Sequence, residues 1–225
     1  DCDPTNDLQE SRGFTHEEWQ GGENMRADCH MHTYFSGDSE AKPEDMVLAA
    51  IDKGLEAICF TDHEDIDYFC DDIEFVFDPE TYFKELGALK EKYKEKLDIR
   101  IGVEFGLQPH LAKKAKVFTT ANPYDFVIGS MHVVGGKDPY YPEFFEGISD
   151  EEAYRMALLE TIADIRAVAD FDVLGHLDYV VRYGKNKEKD IGCFDFGKCG
   201  TKRSSSFCNP AWLWCKCDQP ISRTG

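Results

Sequence analysis

The chain has 225 residues, 42% of them apolar and 31% charged, which suits one globular domain with a sizeable core and excludes a disordered chain. Its 25 Lys and Arg against 44 Asp and Glu leave a formal charge of −19, so a surface built to track a phosphodiester backbone is not expected and nucleic acid is set aside as a partner. No apolar run approaches the roughly 20 residues that span a bilayer, and no basic-then-apolar leader is present, so a soluble, cytoplasmic protein with no membrane partner is expected.

Residues 1–24 are unpatterned, with seven acids and one Arg, and Met25 follows them; they are expected to be an extension outside the domain. Arg26 to Cys29 predicts a short strand. A polar loop then leads to a helix with Pro43 at its first position, Glu44 and Asp45 in its first turn, and Gly54 as its stop. Glu56 to Phe60 predicts the second strand. Asp78-Pro79 opens a long amphipathic helix to about Leu97, and Leu97 to Val103, rich in Ile and Val, predicts the third strand. A helix over His110 to Ala121 precedes a fourth strand at Asp125 to Gly129. Ser149 and Glu152 form a capping box for a helix reaching about Ala169, and Phe171 to Gly175 predicts the fifth strand. Strand and helix alternate throughout, the pattern of a parallel α/β sheet or barrel over residues 25–191.

Residues 192–225 differ from what precedes them. Five Lys or Arg against two acids make this segment +3 and leave −22 for residues 1–191. Five of the nine cysteines, Cys193, Cys199, Cys208, Cys215 and Cys217, crowd into it without a C-x-x-C pair, which weighs against a zinc knob. It shows neither helical nor strand periodicity, so it is expected to be foreign to the fold. Cys29 and Cys59, in apolar stretches, read as reduced thiols packed like small hydrophobes.

The chemistry-bearing residues gather at the predicted strand ends. His30 and His32 stand at the first, Asp62 and His63 at the second, Glu104 at the third, His132 at the fourth, and His176 with Asp178 at the fifth. C-terminal strand ends of a (β/α) barrel share one face, so these side chains are expected to converge on one cleft. Imidazole with carboxylate is the ligand chemistry of Zn, Mn and Fe. Singly, each residue has an ordinary explanation, such as a partly buried core histidine or a solvated acid. Jointly, five strand ends carrying ligand-type residues favour a metal cluster. Three features stay open on the residues alone. Arg182 is either a phosphate clamp or a surface Arg. Asp38 is either a ligand or a helix-initiating turn residue. The aromatic loop from Asp138 to Phe145 is either a lid or a connection packed by its own rings. His110 and His16 read as structural or solvated.

The segments Asp28-Cys29-His30-Met31-His32-Thr33, Phe60-Thr61-Asp62-His63, Gly102-Val103-Glu104, Gly129-Ser130-Met131-His132 and Gly175-His176-Leu177-Asp178 resemble, in order, the motifs of the polymerase and histidinol phosphatase (PHP) superfamily. Gly106-Leu107-Gln108-Pro109-His110, the Asp138 to Phe145 loop and Val181-Arg182-Tyr183-Gly184 are similar to its histidinol-phosphatase branch. The resemblance implies a distorted (β/α)7 TIM-like barrel, of which about five βα units are present in residues 25–191, and a cluster of two or three divalent ions (Mn, Fe or Zn). It implies that His30 and His32 hold a first metal, that Glu104 bridges the first and second, that His132 and His176 complete the second, and that His63 with Asp38 serves a third. The family's late Asp and His pair has no counterpart, since no His follows His176.

The implied reaction is hydrolysis of a small phosphomonoester, L-histidinol phosphate above all. Two divalent ions about 3.5 to 4 Å apart neutralise the phosphate dianion and activate a shared water for in-line attack. Glu104 would organise the ions, Asp178 would assist the leaving alkoxide and Arg182 would hold phosphate oxygens. A superfamily phosphoesterase acting on nucleotides and an inactive metal-binding fragment are the alternatives. The oligomeric state is not legible.

Overall fold

The computed structural model describes residues 26–69 and 73–185. The expectations for residues 1–24 and 192–225 lie outside them.

Five strand positions form one parallel sheet. Strand β1 (Ala27–Met31) pairs with β2 (Ala57–Phe60), and β2 pairs with the long central β4 (Asp98–Gly106). A two-residue strand, β3 (His63–Glu64), continues the line of β2 after a break at Thr61-Asp62 and pairs with the second half of β4, His63 opposite Glu104. Strands β5 (Phe126–Ser130) and β6 (Val173–Leu174) complete the order β1-β2-β4-β5-β6. Strand follows helix follows strand in one direction, which is the parallel α/β sheet that the alternating pattern predicted and the incomplete barrel that the resemblance implied. Among the described residues β1 and β6 stand at the two ends of the sheet.

Helices α1 (Pro43–Asp52), α2 (Pro79–Tyr93) and α3 (Ala112–Ala121) pack one face each against the sheet. The face follows from spacing: α1 buries Pro43, Val47 and Ala50, and α2 buries Tyr82, Leu86, Leu89 and Tyr93. These meet Ile58, Phe60, Ile99, Ile101, Val103 and Phe105 in the main core. All four residues of β2 and the last six of β4 are buried, as a parallel sheet covered on both faces requires. The boundaries have local causes. Pro79 starts α2, and the Asp78 carboxylate accepts from the Thr81 amide at 2.9 Å. Gly54, at φ +67°, turns the chain out of α1 while its amide bonds to Ile51 O.

Several predicted boundaries shift: the fifth strand, predicted over Phe171 to Gly175, shortens to Val173–Leu174, and the helix predicted from His110 begins as a 3-10 turn and becomes α-helical at Ala112. The second helix ends at Tyr93 rather than near Leu97, because residues 94–96 form a tight turn into β4. The third strand runs on through Glu104 to Gly106. The aromatic loop resolves as a packed connection: Phe144 and Phe145 are each 4% exposed and join Met131, Val134, Ala153, Tyr154 and Val180 in a second core.

Helix α4 (Asp150–Ala167), capped by Ser149 Oγ at the Glu152 amide, carries that second core on Ala153, Tyr154 and Ala157. The same buried face ends in Asp164, whose carboxylate oxygens have no hydrogen-bond partner among the described residues. Burial, with Glu160 adding to it, pushes the Asp164 carboxyl up to about 7. A raised native pKa means that the carboxylate costs stability above it and nothing below the ordinary value of 3.8. Asp164→Asn is therefore expected to stabilise the protein by about 1 to 3 kcal/mol at pH 8, a gap that closes as pH falls from about 7 to about 4. Urea unfolding of both proteins at pH 8 and pH 4 checks this, and a pH-independent gap would contradict it. No described helix is long and apolar enough to cross a membrane.

Candidate metal centre

The cluster forms where the parallel strands end. His30 lies within β1 and His32 just beyond it, so alternation along extended backbone aims both at the same side, toward β4. Register places His63 of β3 directly opposite Glu104 of β4. His132 follows β5 by two residues and His176 follows β6 by two.

Glu104 is fully buried and sits at the centre. Its Oε2 lies 3.0 Å from His32 Nε2, 3.6 Å from His30 Nε2 and 3.5 Å from His63 Nδ1. Its Oε1 lies 2.9 Å from His176 Nε2 and 3.3 Å from His132 Nε2. The five imidazoles close a circuit around this carboxylate. Successive ring centroids are 4.8 Å (His30 to His32), 4.4 Å (His32 to His63), 4.9 Å (His63 to His132), 5.2 Å (His132 to His176) and 6.4 Å (His176 to His30) apart. Asp38 stands at the rim, its Oδ2 3.4 Å from His32 Nδ1 and 3.6 Å from His63 Nε2.

The far nitrogens of two rings are anchored. His132 Nδ1 contacts both oxygens of buried Asp65, at 3.0 and 3.1 Å, and His30 Nδ1 lies 2.7 Å from Thr61 Oγ1. A carboxylate behind an imidazole orients the ring and takes its Nδ1 proton, so that once a cation replaces the proton on the other side His132 Nε2 would be free to ligate it beside Glu104. Asp62, also fully buried, accepts from Thr33 and Ser36 and so shapes the loop that carries His32 to Asp38.

Asp65 was missed in the sequence. The signal was available, since His63-x-Asp65 repeats the His30-x-His32 alternation one strand over. Gly106 makes its position possible: a Cβ there would come within 2.1 Å of Asp65 Oδ1.

Electrostatics follow from burying acids among imidazoles. Burial opposes the charge of Glu104, yet His30, His63 and His132 draw its pKa well below the usual carboxylate range. Asp65 responds likewise, burial opposing and His132 and His63 prevailing, and falls to about 2. His63 rises to about 10, because Glu104 and Asp65 overcome its burial, and His32 rises to about 9 because its bond to Asp38 and the Glu104 carboxylate beside it outweigh the same penalty. His30, where burial prevails over Glu104, drops to about 4. Such a centre compensates its acids with protons on imidazole, so a cation entering it must displace them.

The donor atoms fit a divalent transition ion. Glu104 Oε2, His32 Nε2 and His63 Nδ1 are buried and make no hydrogen bond among the described residues, although Oε2 lies 3.0 Å from His32 Nε2 and 3.5 Å from His63 Nδ1. Two ligands each about 2.1 Å from one ion stand about 3 to 3.4 Å apart, so these separations suit a shared ion better than a hydrogen bond. Three sets bring their donor atoms within 4.8 Å: His30, His32 and Glu104; His32, Asp38 and His63; and His63, Glu104 and His132.

All seven predicted metal residues thus come together. Asp178 and Arg182 do not lie in this first circle of donors but on the turn that follows. Asp178 precedes the 3-10 turn Tyr179–Arg182, and both residues are half-buried. His110 is exposed and bonded to Asp67; His16 lies outside the described residues.

Comparison with known proteins agrees with this geometry. The PHP domain model matches residues 28–193. A histidinol-phosphatase of Lactococcus lactis subsp. lactis is 37% identical over 167 residues, covering 74% of this chain and 61% of the relative. A probable histidinol-phosphatase of Clostridium acetobutylicum is 32% identical, covering 74% and 63%. Among solved structures, the Lactococcus lactis histidinol phosphate phosphatase complexed with zinc, L-histidinol and phosphate superposes with a TM-score of 0.67 at 37% identity, over 71% of this chain and 60% of that one. A putative histidinol phosphatase of Listeria monocytogenes shares the fold, with a TM-score of 0.65 at 21% identity over 75% and 73%. The chain spans about three fifths of the length of the curated relatives it matches.

Proposed function

The chain belongs to the PHP domain family, and we propose that its carboxylate-imidazole centre serves metal-dependent hydrolysis of a phosphomonoester, L-histidinol phosphate, to L-histidinol and phosphate. One observation carries this beyond the family match: a single buried carboxylate offers one oxygen to His30, His32 and His63 and the other to His132 and His176. If ions are bound, His30 and His32 with one oxygen of Glu104 would hold one, His132 and His176 with the other oxygen would hold a second, and His63 with Asp38 would serve a third. When bound, divalent ions neutralise a phosphate dianion and lower the pKa of water beside them, and Zn, Mn and Fe all accept this donor set.

The chain's own groups supply the rest. Glu104 fixes the spacing between the two halves of the centre. Asp65 and Thr61, behind His132 and His30, hold those rings in the orientation that faces it. Arg182, on the turn after β6, would take non-bridging phosphate oxygens, and Asp178, opening the same turn, would assist the leaving alkoxide. A small diffusible ester in the cytoplasm suits a chain of charge −19 better than a polyanion does.

The deciding assay is phosphate release by the metal-loaded full chain. L-histidinol phosphate is expected to be hydrolysed, a dinucleotide is expected to stay intact, and a chelator is expected to abolish release until Mn or Zn is restored. Metal-loaded protein that releases no phosphate from L-histidinol phosphate would overturn the assignment.

A further inference from the structure

Beside the centre, a buried carboxylate that takes no part in it ties three loops together. Asp138, 6% exposed, accepts from Tyr68 Oη at 2.7 Å, from Tyr179 Oη at 2.8 Å and from the Tyr140 amide at 2.8 Å. These partners follow β3, β6 and β5 respectively, so one side chain joins the loops of three strand positions on the face where the imidazoles gather.

The rings so held are neighbours of the centre. Tyr179 lies 5.4 Å from the His176 ring and 5.5 Å from that of His132. Tyr68 lies 5.1 Å from Phe75, which lies 5.3 Å from His63. Both tyrosines are half-buried, each keeping part of its surface open. The Tyr68 loop is built for this placement. Asp67 adopts φ +59°, uncommon for a side-chain-bearing residue, and is held there by His110 at 3.1 Å and by Lys114. Gln108 Nε2 donates to Ile66 O at 3.0 Å. A charged acceptor with two phenols makes stronger hydrogen bonds than a neutral one, which suits a tie that must hold its geometry.

We propose that Asp138 is a positioning residue: by anchoring Tyr179 beside His132 and His176, and Tyr68 with Phe75 on the His63 side, it holds an aromatic wall along the centre, and this wall orients the leaving-group end of the phosphomonoester. The inference rests on the phosphatase reading and deepens it, since it separates recognition of the alcohol from that of the phosphate. Tyr and Trp suit such walls because a rigid ring presents area at little entropic cost.

The test uses the metal-loaded full chain, with L-histidinol phosphate as substrate and inorganic phosphate as inhibitor. Asp138→Ala and Tyr179→Phe are each expected to raise KM about tenfold, while the inhibition constant of phosphate and the metal content stay within about twofold. Their combination should cost no more than Asp138→Ala alone, as for groups acting as one unit. Equal loss of ester and phosphate affinity, loss of metal, or an unchanged KM would overturn the inference. Wild-type protein that holds metal yet hydrolyses no phosphomonoester overturns the phosphatase reading instead. The tie is then judged by hydrogen exchange: Asp138→Ala must raise it over residues 66–69 and 176–183 together, and unchanged exchange there would count against the tie itself.

Discussion

Glu104→Gln is expected to empty the centre of metal and to lower phosphate release by at least about a thousandfold. The carboxylate is fully buried and both its oxygens face imidazole nitrogens. An amide of the same shape keeps one acceptor, places an NH2 against nitrogens that need an anion, and removes the charge that offsets bound cations. Metal content after purification from metal-rich medium, with phosphate release on the same sample, checks both halves. Circular dichroism separates this from unfolding, since β4 keeps its pairing to β2 and β5 through the backbone alone. Full metal content in the variant would show that Glu104 does not bridge.

Arg182→Ala is expected to raise KM for the phosphomonoester by about tenfold to hundredfold, with metal content unchanged. A charge-assisted contact to phosphate is worth about 1.5 to 3 kcal/mol, and that sets the range. Arg182 lies on the same turn as Tyr179, which reaches the His132 and His176 rings, so the turn borders the half of the centre served by Glu104 Oε1. Loss of the guanidinium should also weaken inhibition by inorganic phosphate, unlike loss of Asp138. A KM within twofold of wild type would remove Arg182 from the site.

Most of the centre was legible because its residues obey strand geometry. His30-x-His32 announces two side chains on one side of an extended segment, and His132 and His176 follow the apolar runs read as the fourth and fifth strands, of which the fifth forms only Val173–Leu174. What was not legible has a physical cause at each place. The third strand looked finished at Val103 because a carboxylate interrupts the apolar pattern, yet Glu104 remains in β4, its charge offset by imidazoles from segments remote in sequence. Strand β3 is two residues long, so the lone His63-x-Asp65 alternation was the one signal for Asp65 within an acidic stretch. The Asp138 loop could not be assigned as lid or packing, because the side chains that bury Phe144 and Phe145 come largely from α4 and the turn after β6.

The parallel order of the sheet also sets when the centre can exist. Each neighbouring pair of strand positions is joined by a crossover rather than a hairpin, and the five imidazoles come from positions 30 to 176. Contacts this distant in sequence form late, after loop closure has been achieved several times over. During synthesis a chain that has emerged as far as β3 already displays His30, His32 and His63, enough to capture a cation with an incomplete ligand set. Only after β6 docks does His176 reach Glu104 and close the circuit. Timing of metal delivery relative to chain completion therefore bears on the yield of correctly loaded protein: early metal can trap the first three histidines in a non-native set, and late metal meets a finished one.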